Sequence, residues 1–275
     1  MSMTFAARGR RFSQQAGLVL VGLLIGASGH AASPAQPAHA GPAVELEPKA
    51  LNIIKAACAK LAAARTLSFS AIVSEESPSR LGPALVYTSR YSVTLQRPNK
   101  LRVLSPGDGP ASELYYDGKS TSAFAPKEQF IAVGSAPPTI DAALEEAQEK
   151  AQIYYPFNDL IVADPFKDLS EGLRVAFYVG QSGSVGKTKT DIVVYANDHA
   201  FVQAWIGADD HLPRRLRAVF RKDTSQLRHE MDLSDWQLNI PVAANAFVVP
   251  EGAKKALPIK FARPQSAPEK SGAAK

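Results

Sequence analysis

The sequence predicts a mainly β protein of the α+β class, in which a strongly curved antiparallel sheet wraps an N-terminal helix and an inserted helical pair. Short segments that alternate apolar and polar residues recur through most of the chain, and turn residues separate them. Helical periodicity is confined to residues 46–65 and 139–162. The regular strand–helix alternation of a doubly wound nucleotide-binding sheet is missing from this pattern.

The N-terminus has the three regions of an export signal. Arg8, Arg10 and Arg11 precede an uncharged run over residues 16–27, and small residues follow. The run is shorter than the roughly 20 residues that a membrane-spanning helix needs. We therefore predict a cleavable signal peptide over residues 1–31 and a disordered linker over residues 32–45, with cleavage after Ala40 as the alternative.

Composition limits the number of domains and the kinds of partner that we expect. The chain has 275 residues, enough for one domain with a sizeable core, which we place at residues 46–255. Removing the three Arg of the signal lowers the net charge from +5 to +2, so nucleic acid is not an expected partner. Cys58 is the single cysteine and falls on the apolar face of the first helix, where we expect a buried, unreactive thiol.

The first half of the domain begins with a helix and continues as an antiparallel meander. Pro48 is compatible with the first turn of the helix at 46–65. The period then changes to two, and Asp117-Gly118 is a strong hairpin signal. The predicted strands are 67–74, 85–97, 100–105, 113–116 and 121–125.

The second half starts with the helical insertion. Thr139 can cap a helix that runs through Ala151, and a short helix from Phe157 to Val162 is expected to end at Asp164-Pro165. Together these helices could form a lid. Strands are then predicted at 173–179, 191–196, 201–206, 214–221 and 227–238, and residues 256–275 have the composition of a disordered tail.

The sequence has few residues in patterns that would bind a metal or a phosphate or support catalysis. His199, His211 and His229 have no ligand partner at useful spacing, so neither a metal site nor a cofactor is predicted. Residues 180–188 resemble a phosphate-binding loop, but the spacing is one residue too long and a strand follows. Because no nucleophile and base are paired either, we predict no catalytic residues and a protein that is not an enzyme.

One predicted strand carries a basic face. Arg215, Arg217 and Arg221 share one face of the predicted strand, opposite Leu216, Ala218 and Phe220. Such a face is usually a solvated outer surface. The functional alternative is contact with anionic lipid headgroups or an acidic protein partner.

Two segments resemble a known superfamily. Asp117-Gly-Lys-Ser-Thr-Ser-Ala-Phe-Ala-Pro-Lys-Glu-Gln129 resembles the D-G-K-x-x-x-x-[YF]-x-P segment of the periplasmic lipoprotein carriers LolA and LolB. Arg97-Pro-Asn-Lys-Leu-Arg102 resembles a strand pair of the same superfamily. The wider order of motifs, including Leu212-Pro-Arg-Arg215 and Asp235-Trp236, is similar to a family of predicted periplasmic proteins.

This resemblance implies a periplasmic location and an unclosed half barrel of about 11 strands, with helices against its concave apolar face. In the lipoprotein carriers that face takes acyl chains, and a buried Arg latches the helical lid; Arg90, Arg97 and Arg102 are the candidates here. The expected lining residues are Phe69, Tyr87, Tyr91, Leu95, Tyr116 and Phe124, each of which could equally be ordinary core.

Two functions follow from these observations. The first is a binding or carrier protein for a lipid, an acylated protein or another amphiphile. The second is a non-catalytic protein-interaction or envelope-sensor module with an envelope protein as its partner. An apolar cavity with reversible lid contacts would favour the first, whereas a filled core together with an exposed sheet edge would favour the second.

Overall fold

The structure is a computed structural model that describes residues 45–107 and 110–262. The predicted signal peptide and residues 32–44 of the predicted linker lie outside the described residues. The strands are β1 Glu45–Leu46, β2 Thr66–Ser77, β3 Leu85–Gln96, β4 Lys100–Ser105, β5 Ser112–Tyr116, β6 Ser120–Ala125, β7 Phe130–Ser135, β8 Val175–Ser182, β9 Thr190–Ala196, β10 Ala200–Gly207, β11 Pro213–Phe220, β12 Arg228–Leu238 and β13 Leu257–Ile259. The helices are α1 Pro48–Ala62, α2 Ile140–Ala151, α3 Asn158–Ile161 and α4 Pro165–Ser170.

All the strands of the described residues form one sheet, in the order β1-β8-β9-β10-β11-β12-β2-β3-β4-β5-β6-β7-β13. The eleven strands from β2 to β12 pair antiparallel, whereas β1 and β13 add to the two edges in parallel. The edges do not meet, so the sheet is an open half barrel. This confirms the predicted fold class, including a mainly antiparallel sheet of about eleven strands.

Helix α1 lies against the β8–β10 half of the sheet. Its buried face consists of Ala50, Ile54, Ala57, Cys58 and Leu61, at the spacing of one helix stripe. These residues pack with Ala176, Val193, Ala204 and Ile206. Burial of the Cys58 side chain is therefore confirmed.

Helix α2 begins where its sequence predicts. Thr139 Oγ1 accepts a hydrogen bond from the Ala142 amide, and Gln152 ends the helix with a left-handed conformation. Asp164-Pro165 differs from the prediction, because these residues begin α4 instead of only ending α3. The Asp164 carboxylate accepts from the Lys167 amide, and Pro165 occupies the first turn, where its missing N–H costs nothing.

Two further segments differ from the expectations. β7 follows the turn at 126–129, where no strand is predicted. Leu257–Ile259 lies within the expected disordered tail, yet it forms β13 alongside β7. Just before it, Ala253 and Ala256 pack on Phe124 and hold the C-terminal segment on the sheet.

Candidate functional site

The candidate site is the concave face of the half barrel, where apolar side chains of the sheet meet the helical insertion. Alternate residues of β2 to β5 point to this face and are buried in one cluster, which includes Phe69, Val93, Leu95, Leu101 and Tyr116. Ile140, Leu144, Phe157 and Ile161 of the insertion belong to the same cluster. We call residues 139–163, which carry α2 and α3, the lid.

Five rings form an aromatic cluster between the sheet and the lid: Phe69, Tyr91, Tyr155, Phe157 and Trp236. Phe157 is 0 % exposed and lies edge-on to Phe69 at 5.6 Å and to Tyr91 at 5.4 Å between ring centroids. Tyr155 stacks on Phe157 at 5.3 Å, and Trp236 stacks on Phe69 at 4.6 Å. Two lid rings thus fill the centre of the concave face.

A β-bulge explains how Trp236 reaches this cluster. The pairing of β12 with β2 shifts between Ser234 and Gln237, and Asp235 has a φ of 56°. The extra residue turns Trp236 to the concave face, where its Nε1–H donates to the Pro213 carbonyl at 2.8 Å. A strict period-two reading does not reveal this, so sequence reasoning missed Trp236 as a lining residue.

Few polar contacts tie the lid to the sheet. An Arg97 Nη group donates to the Ile161 carbonyl at 3.0 Å, and the Ile140 amide donates to the Pro98 carbonyl at 3.0 Å. Just before the lid, the Tyr116 hydroxyl donates to the Pro137 carbonyl at 2.6 Å. Within the lid, the Ala163 amide donates to the Asp141 carboxylate at 3.1 Å. These bonds hold the two ends of the lid, and apolar packing holds the rest.

Arg97 is the one of the three candidate arginines that contacts the lid in the described structure. Its Nε and other Nη atoms are buried without a hydrogen-bond partner among the described residues. Burial lowers the pKa of Arg97, and the nearby Asp141 carboxylate opposes that shift. Arg90 is exposed, and Arg102 lies on the convex face, where it donates to Thr94 Oγ1 at 3.3 Å.

One end of the concave face, which we call the mouth, is lined by Glu75, Tyr87, His229 and Tyr154. Glu75 lies between Tyr87 and His229 in the strand register, and its carboxylate is 4.0 Å from His229 Nδ1. Burial raises the pKa of Tyr154, with further contributions from Asp159 and Glu75. Aromatic and titratable groups therefore surround this opening.

The six predicted lining residues separate into three groups. Phe69, Leu95 and Tyr116 are buried in the cluster beneath the lid, and Tyr91 packs at its edge. Tyr87 shares their face but is 61 % exposed at the mouth. Phe124 pairs with Glu113 and lies on the convex face under the C-terminal segment, because the strand alternation places it opposite Tyr116.

The basic face of β11 is paired with acids of β12. Arg215 donates to both carboxylate oxygens of Asp232 and lies 3.2 Å from Glu230. Arg217 faces Glu230 across the strand pair, and an Arg221 Nη group donates to the Asn197 carbonyl. The Arg215 guanidinium is thus engaged within the protein, and Arg217 and Arg221 lie beside it on the convex side.

Groups that could support chemistry are not gathered in the described residues. No set of three His, Cys, Asp or Glu side chains there could hold a metal ion. Burial raises the pKa of the Cys58 thiol to about 12, so the nucleophilic thiolate is rare at neutral pH. Among the described helices, none has the length and apolar character needed to cross a membrane.

Residues 50–262 match the family described as predicted periplasmic protein (DUF2092). The chain belongs to this family. It is a periplasmic protein, as the sequence motifs predict. No curated protein matches the DUF2092 chain.

Solved structures with similar folds come from several bacteria. The lipoprotein LppX of Mycobacterium tuberculosis is 12 % identical, with 72 % of this chain and 99 % of that chain covered and a TM-score of 0.45. LprF from Mycobacterium bovis is 16 % identical, with coverage of 72 % and 96 % and a TM-score of 0.44. The LolA superfamily protein NE2245 from Nitrosomonas europaea is 11 % identical, with coverage of 73 % and 97 % and a TM-score of 0.35.

Proposed function

We propose that this DUF2092 protein is a non-catalytic periplasmic binding or carrier protein that holds the apolar part of a lipid, an acylated protein or another amphiphile on its concave face. The observation that carries the proposal is that rings of the lid, and not of the sheet, fill the centre of the concave face, while β1 and β13 cover both sheet edges. Tyr155 and Phe157 of the lid occupy the centre of the sheet surface, against Phe69 and Tyr91. When the lid moves away, an acyl chain takes the place of these two rings.

Energetics support such an exchange. Burying an acyl chain contributes about 0.8 kcal/mol per CH₂, so a chain of moderate length offsets the loss of two buried aromatic side chains. The sheet can remain unchanged, because its eleven antiparallel strands are hydrogen-bonded independently of the lid. To move away, the lid must break its ring contacts with the sheet and two hydrogen bonds, one from Arg97 to the Ile161 carbonyl and one from the Ile140 amide to the Pro98 carbonyl.

The mouth is the route by which a ligand would reach the cluster. Tyr91 lies between the mouth residue Tyr87 and the buried Val93 on the same face of β3. An apolar chain inserted there would contact Tyr91 first and then displace Tyr155, whose ring lies 5.9 Å from Tyr91. The headgroup would stay at the mouth beside Glu75 and His229.

Native mass spectrometry tests the proposal. Mature protein purified gently from the periplasm should carry a reproducible mass excess, and organic extraction of the same sample should identify the lipid. Tyr91→Asp should abolish the excess, whereas Ser92→Asp, on the exposed opposite face of the same strand, should retain it. Protein that shows no mass excess and binds neither added lipid nor acyl peptide would contradict the carrier function.

A second candidate function is protein recognition, and the far end of the β2–β3 hairpin favours it. Leu81 is 92 % exposed there, and Leu85, Val86 and Tyr87 are each more than half exposed. Exposed apolar side chains grouped in this way are typical of interaction surfaces. A photo-crosslinker at Leu81 that captures one defined envelope protein, while the same group at Lys119 does not, would support this function over carriage.

A further inference from the structure

A cavity lies on the convex side of the sheet, opposite the candidate site. It has a volume of about 590 Å³ and is an open groove between the sheet and residues 240–251, which we call the strap. The sheet contributes a polar floor that includes Thr94, Arg102 and Tyr115, whereas the strap contributes apolar side chains such as Val242 and Val249 and, at its end, Glu251. A smaller cavity of about 250 Å³ extends under the strap on the other side of Tyr115.

The strap is anchored at both ends, so the groove beneath it is built into the fold. At its start, Thr66 Oγ1 donates to the Ile240 carbonyl at 2.7 Å. Further along, Phe247 is 2 % exposed, and Ala253 packs on Phe124. The chain between these anchors spans the floor without filling the space above Arg102 and Thr94.

Arg102 is the unusual group in this groove. It lies next to Thr94 and Tyr115 in the strand register and is partly buried, yet no carboxylate of the described residues lies within 4.0 Å of its guanidinium. Its bond to Thr94 Oγ1 uses one N–H group, and its Nε is buried without a partner in the described structure. The neighbouring Glu113 instead accepts a hydrogen bond from the Tyr115 hydroxyl at 2.7 Å. A partly buried charge without an opposing charge costs stability.

We propose that this groove binds a small anionic amphiphile, with its oxyanion at Arg102 and a short apolar chain along Val242 and Val249 of the strap. Carboxylates and phosphate monoesters both provide oxygen acceptors that match a guanidinium. A cavity of this size is typical of small-molecule sites, and its cation beside apolar walls matches a ligand with those two parts. The acidic residue of the lining, Glu251, forms an ion pair with Lys254 at 2.6 Å, which offsets its negative charge. The groove is separate from the concave face, so the inference stands independently of lipid carriage.

The test uses octanoate and octyl phosphate as probes, followed by NMR of the mature protein. Octanoate should shift the Arg102 Nε–H resonance and the strap amides, and octanol at the same concentration should not. The relative affinities of octanoate and octyl phosphate distinguish the two oxyanions. Arg102→Gln should weaken binding at least about tenfold, as expected for the loss of a charge-assisted bond. Arg90→Gln, an exposed arginine of the same strand pair, should leave it unchanged.

A second variant keeps the test decisive if Arg102→Gln fails to fold. Val242→Glu adds a negative charge to the groove and leaves Arg102 in place, so it should also weaken octanoate binding about tenfold. Shifts confined to the lid, equal affinity in wild type and both variants, or no shift at Arg102 with either anion would overturn the proposal.

Discussion

Arg97 is the residue that links the end of β3 to the lid. It uses one of its N–H groups for the Ile161 carbonyl, and the lid supplies Asp141 as the nearby negative charge. A charge-assisted bond of this kind contributes about 1.5–3 kcal/mol when its partner remains buried. In Arg97→Gln we therefore expect amide exchange over residues 140–162 to rise by roughly tenfold or more, measured by hydrogen–deuterium exchange.

The matched control is Arg90→Gln, since Arg90 lies on the same strand but is exposed on the other face. Exchange in the sheet should be unaffected in both variants, because Arg97 contributes little to strand pairing. Equal protection of the lid in wild type and Arg97→Gln would show that the Arg97 bond is not needed to hold it closed.

Asp159 makes the lid sensitive to pH. Burial raises its pKa to about 7, with a further contribution from Asp168 of α4. In the unfolded chain this carboxyl ionises near pH 4, so between about pH 4 and 7 the folded state binds more protons, and stability falls as the pH rises. Asp159→Asn should therefore stabilise the protein at pH 8 by on the order of 2 kcal/mol more than at pH 5.

Thermal unfolding at the two pH values measures this difference. Tyr154 and Tyr195 also lie near Asp159, but burial raises the pKa of both phenols, so they stay neutral throughout this range. An equal change in Tm at pH 5 and pH 8 would contradict the assignment of the pH effect to Asp159.

At the scale of single elements, the bulge in β12 decides which face Trp236 occupies. Asp235 adopts a left-handed conformation with a φ of 56°, which β-branched residues avoid. Asp235→Val should destabilise the protein by about 1–2 kcal/mol relative to Asp235→Gly in urea unfolding. Both variants lose the carboxylate that accepts from Ser234, so their difference isolates the backbone strain.

Trp236 fluorescence provides a second measurement of whether the bulge is kept, because it reports the environment of the indole. If the bulge closes in Asp235→Val, the register slips by one residue and the indole moves from the buried aromatic cluster to the convex face. Equal stability and unchanged fluorescence in the two variants would mean that the bulge does not depend on the residue at this position.

Elements with a clear hydrophobic period were predictable from the sequence, whereas elements that depend on tertiary contacts were not. β2, β3 and β4 alternate over most of their length, and α2 has both its stripe and its cap, so their positions agree with the predictions to within a few residues. In β7 the run Phe130-Ile-Ala-Val has no polar alternation, and only pairing with β6 makes it a strand. From the sequence alone, Asp164-Pro165 indicates the end of a helix, but the same two residues are also favourable at the start of one.

The candidate site was predictable in part for the same reason. Strand periodicity places Phe69, Leu95 and Tyr116 on one face, and the structure buries them together. The lid rings Tyr155 and Phe157 lie outside any long periodic segment, so only the tertiary fold brings them to that face. The exposure of Tyr87 depends on how far the lid extends, and the face of Phe124 depends on the register of β5 with β6, neither of which the pattern of a single strand encodes.

At the scale of the whole molecule, an open sheet must protect two edges. Unpaired edge strands expose N–H and C=O groups that can pair with another chain. Here β1 covers the start of β8, and β13 covers β7 from Phe130 to Ala132. Beyond β13, the Phe261 ring packs over Gly134 and extends the protection along the same strand.

Shortening the chain tests whether the C-terminal residues serve this purpose. A variant that ends at Ala256 loses β13 and Phe261 but keeps Ala253 and Ala256 on Phe124, so the strap should stay in place. The bare β7 edge should then associate, which size-exclusion chromatography with light scattering would detect as a mass that rises with concentration. A variant that ends at Arg263 retains β13 and should keep the mass of the full-length mature protein at every concentration. If both variants keep the mass of the full-length mature protein, β7 does not need β13 to prevent pairing.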